Sequence, residues 1–272
     1  MHRRFFPREI RSQMRRAENR GIVVRHLASP PMNMKPLRDC LSGWLCGKKM
    51  PPLGFATNPY LLDPWPKQGI FIAEREGRVC GFLVFSYSPG QNMMQIDLIV
   101  RAPNAPNGCA ELLVATAFQS HAIRGYERAT LGLAPLSRRT AFTYFESPAW
   151  FRMVSHFARH LTSPFYSFAG LEAFKSKFHP DSWQPLYAVS QRGSFTPRDL
   201  LTVLQAFAGG SLVKYGSRTL MWKMGWRYLN MPGVRVEQAS FDENSPPRNR
   251  GSRNPSPGWT RTLYNHLQGG FH

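Results

Sequence analysis

The stretch FIAEREGRVCGFLVFS, Phe71 to Ser86, decides the fold. Two runs rich in aliphatic and aromatic residues flank a charged, glycine-containing break, which predicts a β-hairpin with Glu74, Arg75, Glu76 and Gly77 as its turn. Downstream, NMMQIDLIV (92–100) reads as a strand, RAPNAPNG (101–108) as a loop, CAELLVATAFQSHAIRGY (109–126) as a helix and RATLGLAPL (128–136) as another strand. Two strands joined by a helix of that length form a parallel crossover. The expected class is therefore α/β (α+β), a mixed central sheet flanked by helices.

Upstream, RRFFPREIRSQMRRAENRG (3–21) reads as a helix after Pro7, with Arg4, Arg8, Arg11 and Arg15 at spacings of four, three and four. That spacing puts four guanidinium groups on one face, either a solvated basic helix or a surface that follows phosphates. GIVVRHLA (21–28) reads as a strand, SPPMNMKP (29–36) as a loop and LRDCLSGWLCG (37–47) as a short amphipathic helix. Beyond the second strand of the crossover, AFTYFESPAWFRMVSHFARHL (141–161) is a helix interrupted near Pro148. TPRDLLTVLQAFAGGSLVKYG (196–216) is a helix capped by Thr196 with Pro197 in its first turn. From about Val236 the chain turns to Ser, Pro, Asn, Arg and Gly, too polar to repay ordering entropy, and a disordered tail is expected over 236–272.

Composition narrows the partners. The 272 residues carry 35 Lys+Arg against 16 Asp+Glu, a formal net charge of +19, which favours polyanions: nucleic acid or an anionic lipid surface. No apolar run reaches the length of a spanning helix, and the arginine-rich start lacks the apolar core of a signal peptide. The expected location is the cytoplasm, soluble or peripheral to a membrane. Cys40, Cys46, Cys80 and Cys109 form no CxxC pair and read as small buried hydrophobes; His156 and His160 share a helix face without an evident third ligand, so no metal is expected.

The order of hairpin, strand, glycine-bearing loop, helix and strand, Gly69 to Pro135, resembles GNAT-type acyltransferases. In that fold the loop before the helix cradles the pyrophosphate of coenzyme A; here it is AlaProAsnGlyCysAla (105–110), with Ala105 where Gln or Arg is usual. Three blocks in order, DLIVRAPNAPNGCAELL (97–113), LGLAPLS (131–137) and FYSFAGLEAFKSKFHPDSWQPLYAV (165–189), closely resemble the cytosolic domain of the phosphatidylglycerol lysyltransferases, the multiple peptide resistance factors. RRAENRG (15–21) also resembles the basic helix joining the two GNAT-like halves of that family. The resemblance implies three segments: 1–60, a basic helix and linker left from a truncated first GNAT-like half; 61–235, a GNAT-like aminoacyltransferase domain; and the tail. It implies a stand-alone member without the transmembrane flippase region, able to synthesise a lipid but not to translocate it. Ala169 stands where a polar residue is common and Leu186 where the lysyltransferases tend to have arginine.

What the resemblance implies for function is transfer of an aminoacyl group from charged tRNA to a lipid hydroxyl, phosphatidylglycerol or similar. Aminoacyl-tRNA serves as co-substrate with no further cofactor, and charged tRNA and an anionic phospholipid membrane surface are the partners. The alternatives are an N-acyltransferase using acyl-CoA and a non-catalytic remnant that binds membrane or RNA. Such a transfer needs a hydroxyl deprotonated in flight, charge stabilised on the tetrahedral oxygen and a proton for the departing ribose oxygen. Asp97 is the first candidate for general base or for holding the donor's ammonium, against a role as a strand-end residue. Glu111 either recognises that ammonium or only complements the helix dipole, and Lys177 either protonates the ribose oxygen or is a surface lysine. Arg101 is expected at a tRNA or lipid phosphate, the amides of Asn107 and Gly108 at a phosphate or oxyanion, and Lys175 near the site. Ser137 either contacts substrate or caps a helix. Among Tyr166, Phe168, Phe174, Phe178 and Trp183 most are assigned to packing, with Tyr166 kept as a substrate contact. Arg4, Arg8, Arg11 and Arg15 are the expected tRNA or membrane contacts.

Overall fold

The computed structural model describes residues 6–48, 61–135, 137, 139, 147–161, 167–188, 190, 193–208 and 210–223, all inside the compact unit Met1–Arg235. The expected tail lies outside the described residues.

Helix α1, Arg8–Asn19, follows Pro7 and buries Ile10, Met14 and Ala17, residues four and three apart that form one stripe. Gly21, at a φ of +79°, turns the chain into β1, Val23–Leu27. Helix α2, Lys35–Cys46, opens with Pro36 in its first turn and buries Leu37, Cys40, Leu41 and Leu45. The hairpin is β2, Ile70–Arg75, with β3, Arg78–Ser88. Arg75 pairs with Arg78, so the turn is the two-residue Glu76–Gly77, both at positive φ (52° and 72°). That mirror-image turn matches the twist of the strands, and it places the bend one residue later than the sequence pattern predicts.

Strand β4, Met93–Arg101, runs antiparallel to β3. Val84 pairs with Leu98 and Phe85 with Ile96, so Asp97 is the extra residue of a bulge. Helix α3, Cys109–Ile123, then crosses to β5, Arg128–Thr130, which lies parallel to β4 from Met93↔Arg128 to Gln95↔Thr130. The sheet order is β1-β2-β3-β4-β5, antiparallel but for the β4–β5 pair, which is the mixed arrangement expected. Successive residues Ile70–Ala73 and Gly81–Phe85 are all buried, which requires cover on both faces of the central strands. β5 is shorter than the expected 128–136. Gly132 turns away at a φ of +72°, and the carbonyls of Gly132 and Leu133 accept from Lys175 instead of continuing a ladder.

Four further helices complete the described chain: α4, Ala149–Leu161; α5, Phe168–Ser176; α6, Pro197–Ala208; and α7, Leu212–Lys223. Thr196 and Asp199 close a reciprocal cap on α6: the Thr196 amide donates to the Asp199 carboxylate at 2.8 Å and the Asp199 amide to Thr196 Oγ1 at 3.4 Å. The single helix expected over 196–216 is two, separated at Gly210, whose φ of +134° no helix accommodates.

The expected division at residue 60 does not coincide with a structural boundary. β1 pairs with β2 along its length, α1 packs on α3, and α2 packs on β3 and β4, so residues 6–48 belong to the same layered unit as the hairpin.

Candidate functional site

A recess of about 300 Å³ opens where α1, the end of β4, the start of α3 and the residue after α5 converge. Its lining is polar: Gln13 and Arg16 from α1, Arg101 from β4, Asn107, Gly108 and Glu111 at the start of α3, and Lys177. Each element delivers its residue for a local reason. Arg101 is the last residue of β4, where the chain leaves the sheet. Gly108 precedes α3 at a φ of +91°, which lets the chain turn into the helix and lets α1 approach. Lys177 follows α5 directly, and its neighbour Phe178 is buried against Phe174 and Phe6, fixing the position of the lysine backbone.

Glu111 is buried in the first turn of α3, where the helix dipole favours a carboxylate, and Lys177 Nζ lies 3.6 Å from its Oε1. The pair leaves Arg16 and Arg101 as further cations on the same lining. Three cationic side chains against one carboxylate suit an anionic group held by the arginines, while the Glu111 oxygens can also take an ammonium.

Asp97 sits on the same strand as Arg101 but outside this lining. Ser86 Oγ donates to its Oδ1 at 3.0 Å and Gln95 Nε2 at 3.2 Å. Its side chain reaches solvent, yet surrounding protein removes enough hydration to raise the carboxyl above the usual range, outweighing the lowering by the two hydrogen bonds. Lys175 faces elsewhere: it is buried, and its Nζ donates to the carbonyls of Gly132 at 2.8 Å and Leu133 at 2.7 Å, with burial drawing its pKa down to about 8. Ser137 Oγ accepts from the Arg139 amide at 3.2 Å. Arg8 and Arg15 are exposed and Arg11 half-buried on α1; Arg4 and Tyr166 lie outside the described residues.

Residues 7–190 match the family described as phosphatidylglycerol lysyltransferase, C-terminal. The chain belongs to that family. It is 30% identical over 171 residues to a phosphatidylglycerol lysyltransferase of Bacillus subtilis, covering 60% of this chain and 19% of the relative. The chain thus spans about a fifth of that relative's length. Among solved structures it resembles the C-terminal domain of a candidate lysylphosphatidylglycerol synthetase from Agrobacterium fabrum, at a TM-score of 0.57 and 25% identity, covering 75% of this chain and 61% of that one. It also shares its fold with L-PGS from Bacillus licheniformis, at a TM-score of 0.50 and 24% identity over 78% of this chain and 61% of that one.

Of the residues singled out in the sequence, the lysyltransferase-family fold brings together Arg101, Asn107, Gly108, Glu111 and Lys177. Gln13 and Arg16 were missed. The signal for them was present: at about 100° per residue, the buried stripe Ile10, Met14 and Ala17 has Gln13 and Arg16 on one flank and Arg8, Arg11 and Arg15 on the other. Counting arginines favoured the richer flank; the poorer one faces the start of α3.

Proposed function

We propose that this chain is an aminoacyl-tRNA-dependent transferase that moves an aminoacyl group onto the hydroxyl of phosphatidylglycerol or a similar lipid at the inner face of the membrane. The observation that carries the proposal is the Glu111–Lys177 pair at the start of α3, lined by Arg16 and Arg101, in a chain of the lysyltransferase family. In the reaction, the lipid hydroxyl oxygen attacks the ester carbonyl carbon of the aminoacyl-tRNA, forming a tetrahedral oxyanion. Collapse breaks the bond to the ribose oxygen, and the proton lost by the hydroxyl ends on that oxygen. Asp97, on β4 outside the recess, is assigned the removal of the hydroxyl proton, which requires the lipid hydroxyl to approach along β4; its raised carboxyl pKa favours it over an ordinary aspartate. Glu111 holds the ammonium of the aminoacyl moiety, Lys177 supports charge leaving on the ribose oxygen, and Arg16 and Arg101 hold phosphate.

The start of α3 also weighs against coenzyme A. A pyrophosphate seated on the amides at the helix start would meet α1, whose Gln13 backbone packs against Gly108. The aminoacyl ester needs no coenzyme, and aminoacyl-tRNA is the only co-substrate the proposal requires.

The test is lipid extraction from cells expressing the chain, compared by mass spectrometry with cells expressing Lys177→Ala. An aminoacylated lipid present with the first and absent with the second is expected. In a host that supplies charged tRNA and phosphatidylglycerol, the absence of any such lipid would overturn the assignment.

A further inference from the structure

Helix α4 is built differently from α1. Its sequence, AWFRMVSHFARHL, places Trp150, Met153, Val154 and Phe157 on one stripe at helical spacing, with the exposed Arg152 on the opposite side and no carboxylate anywhere along it. Trp150 at the start of the stripe is stacked on Phe195, ring centroids 6.1 Å apart and planes within 2°. The rest of the described stripe is open: Met153 is 60% exposed, Val154 42% and Phe157 64%. On α1, by contrast, Ile10, Met14 and Ala17 are buried and the outward face is arginine.

We propose that α4 is the segment that docks on an anionic phospholipid bilayer, its Met153–Val154–Phe157 stripe entering the acyl boundary while Arg152 on its polar face meets a headgroup phosphate, in a chain whose net charge of +19 favours that surface. The inference rests on the lipid-acceptor reading above and divides the two polyanions between two helices. A solvated arginine face without exposed apolar side chains gains from phosphate charge alone, which suits a nucleic-acid backbone. An apolar stripe backed by a cationic polar face, on a helix without carboxylates, gains from both hydrocarbon burial and anionic charge, the combination that holds an interfacial helix. The exposed stripe is short, so docking is reversible, and phosphatidylglycerol is the acceptor's own surface.

The experiment sediments the full chain with vesicles of phosphatidylcholine containing phosphatidylglycerol, and with pure phosphatidylcholine vesicles. The chain is expected to sediment with the anionic vesicles. In the doubly substituted Met153→Glu/Phe157→Glu chain, affinity should fall by about tenfold or more, since two apolar side chains at the bilayer become charges. Phe157→Ser is the milder second variant, expected to fall in the same direction with an unchanged thermal melt. Transfer to a short-chain, water-soluble phosphatidylglycerol should stay within about twofold in both, because the chemistry lies at α3 and β4. Vesicle binding unchanged in both variants overturns the proposal. So does a change from dimer to monomer in Phe157→Ser, which would assign the stripe to a second copy, and so does failure of the unsubstituted chain to sediment. Vesicle binding abolished in the variants while no chain transfers to the soluble lipid leaves docking standing and removes the transferase reading.

Discussion

Gly108 stands against the backbone of Gln13. A methyl group on its Cα would lie 2.2 Å from the Gln13 carbonyl oxygen and 3.3 Å from the Ala17 side chain, at a φ of +91° that side chains rarely adopt. The contact sets how close α1 comes to the start of α3, and so whether Gln13 and Arg16 reach the recess at all. Gly108→Ala is expected to lower stability by about 2 kcal/mol or more, combining backbone strain with a clash against backbone that cannot rotate aside. Activity should fall with it. Chemical denaturation of the purified variant measures the first, and a wild-type midpoint would show that α1 is not held there.

Lys175 predicts a pH dependence of stability. Burial draws its pKa down from 10.5 to about 8, so between those values the unfolded chain holds a proton that the folded chain has released. Stability from this group therefore rises as pH increases from about 8 to 10.5 and is least below that window. The full effect is on the order of 3 kcal/mol. Lys175→Met should flatten that rise relative to the parent chain: at pH 7 the cost of orphaning the carbonyls of Gly132 and Leu133, about 1–3 kcal/mol, is offset by release from burying the ammonium, so the variant falls below the parent most clearly at pH 10. Parallel denaturation curves at pH 7 and pH 10 read the difference; identical pH dependence in the two chains would show that the ammonium is not desolvated.

Much of the fold was legible because its signals are local. β-branched runs, a glycine turn and the Thr196 cap each act within a few residues, and each is found where read, to within a residue at the hairpin. What was not legible depends on contacts distant in sequence. β5 ends at Thr130, and a lysine 42 residues beyond Leu133 takes the carbonyls of Gly132 and Leu133, a contact that no window around RATLGLAPL contains. The recess has the same logic. Arg101, Asn107 and Glu111 lie close in sequence and were grouped, and Lys177 came from family resemblance. Gln13 and Arg16 enter only through the packing of α1 on α3, and Lys175, two residues from Lys177, is turned by α5 to another task.

The Glu111–Lys177 pair should show coupling in a double-substitution cycle. Lys177→Met leaves a buried carboxylate without its cation, whereas Lys177→Met with Glu111→Gln removes both charges. A coupling energy of about 1 kcal/mol in stability is expected, modest because Lys177 keeps 35% side-chain exposure. Both single variants should lose transfer activity. Strict additivity in stability would mean that the 3.6 Å approach contributes nothing in solution.

Asp97 carries a prediction about rate rather than stability. As the proposed base it must be ionised, so the rate should climb with pH along an acidic limb whose midpoint lies above that of an ordinary aspartate, following its raised pKa. Stability behaves oppositely: with the folded pKa above 3.8, this group stabilises most at low pH and loses that contribution as pH rises through the folded value. Asp97→Asn keeps the shape and the Ser86 contact, so at pH 7 it should be as stable as the parent or slightly more so, while transfer falls by roughly 10²- to 10⁴-fold. A variant retaining full activity would move the base elsewhere.

The arginines of α1 divide into two flanks, and the division can be read through salt. Changing Arg8, Arg11 and Arg15 together to Ala leaves the buried stripe intact and should weaken tRNA binding, flattening the dependence of log affinity on log salt by up to about 0.7 for each phosphate no longer neutralised. Vesicle binding should change little, since that surface is assigned to α4. Arg16→Ala is expected to do the reverse on the tRNA titration: a small change in salt slope but a large loss of transfer, because its side chain lines the recess rather than the outer face. Filter binding across a salt series, run beside the transfer assay, separates the two. If the triple variant instead lost transfer while keeping the parent's salt slope, the outer flank would belong to the active recess and tRNA would have to be held elsewhere.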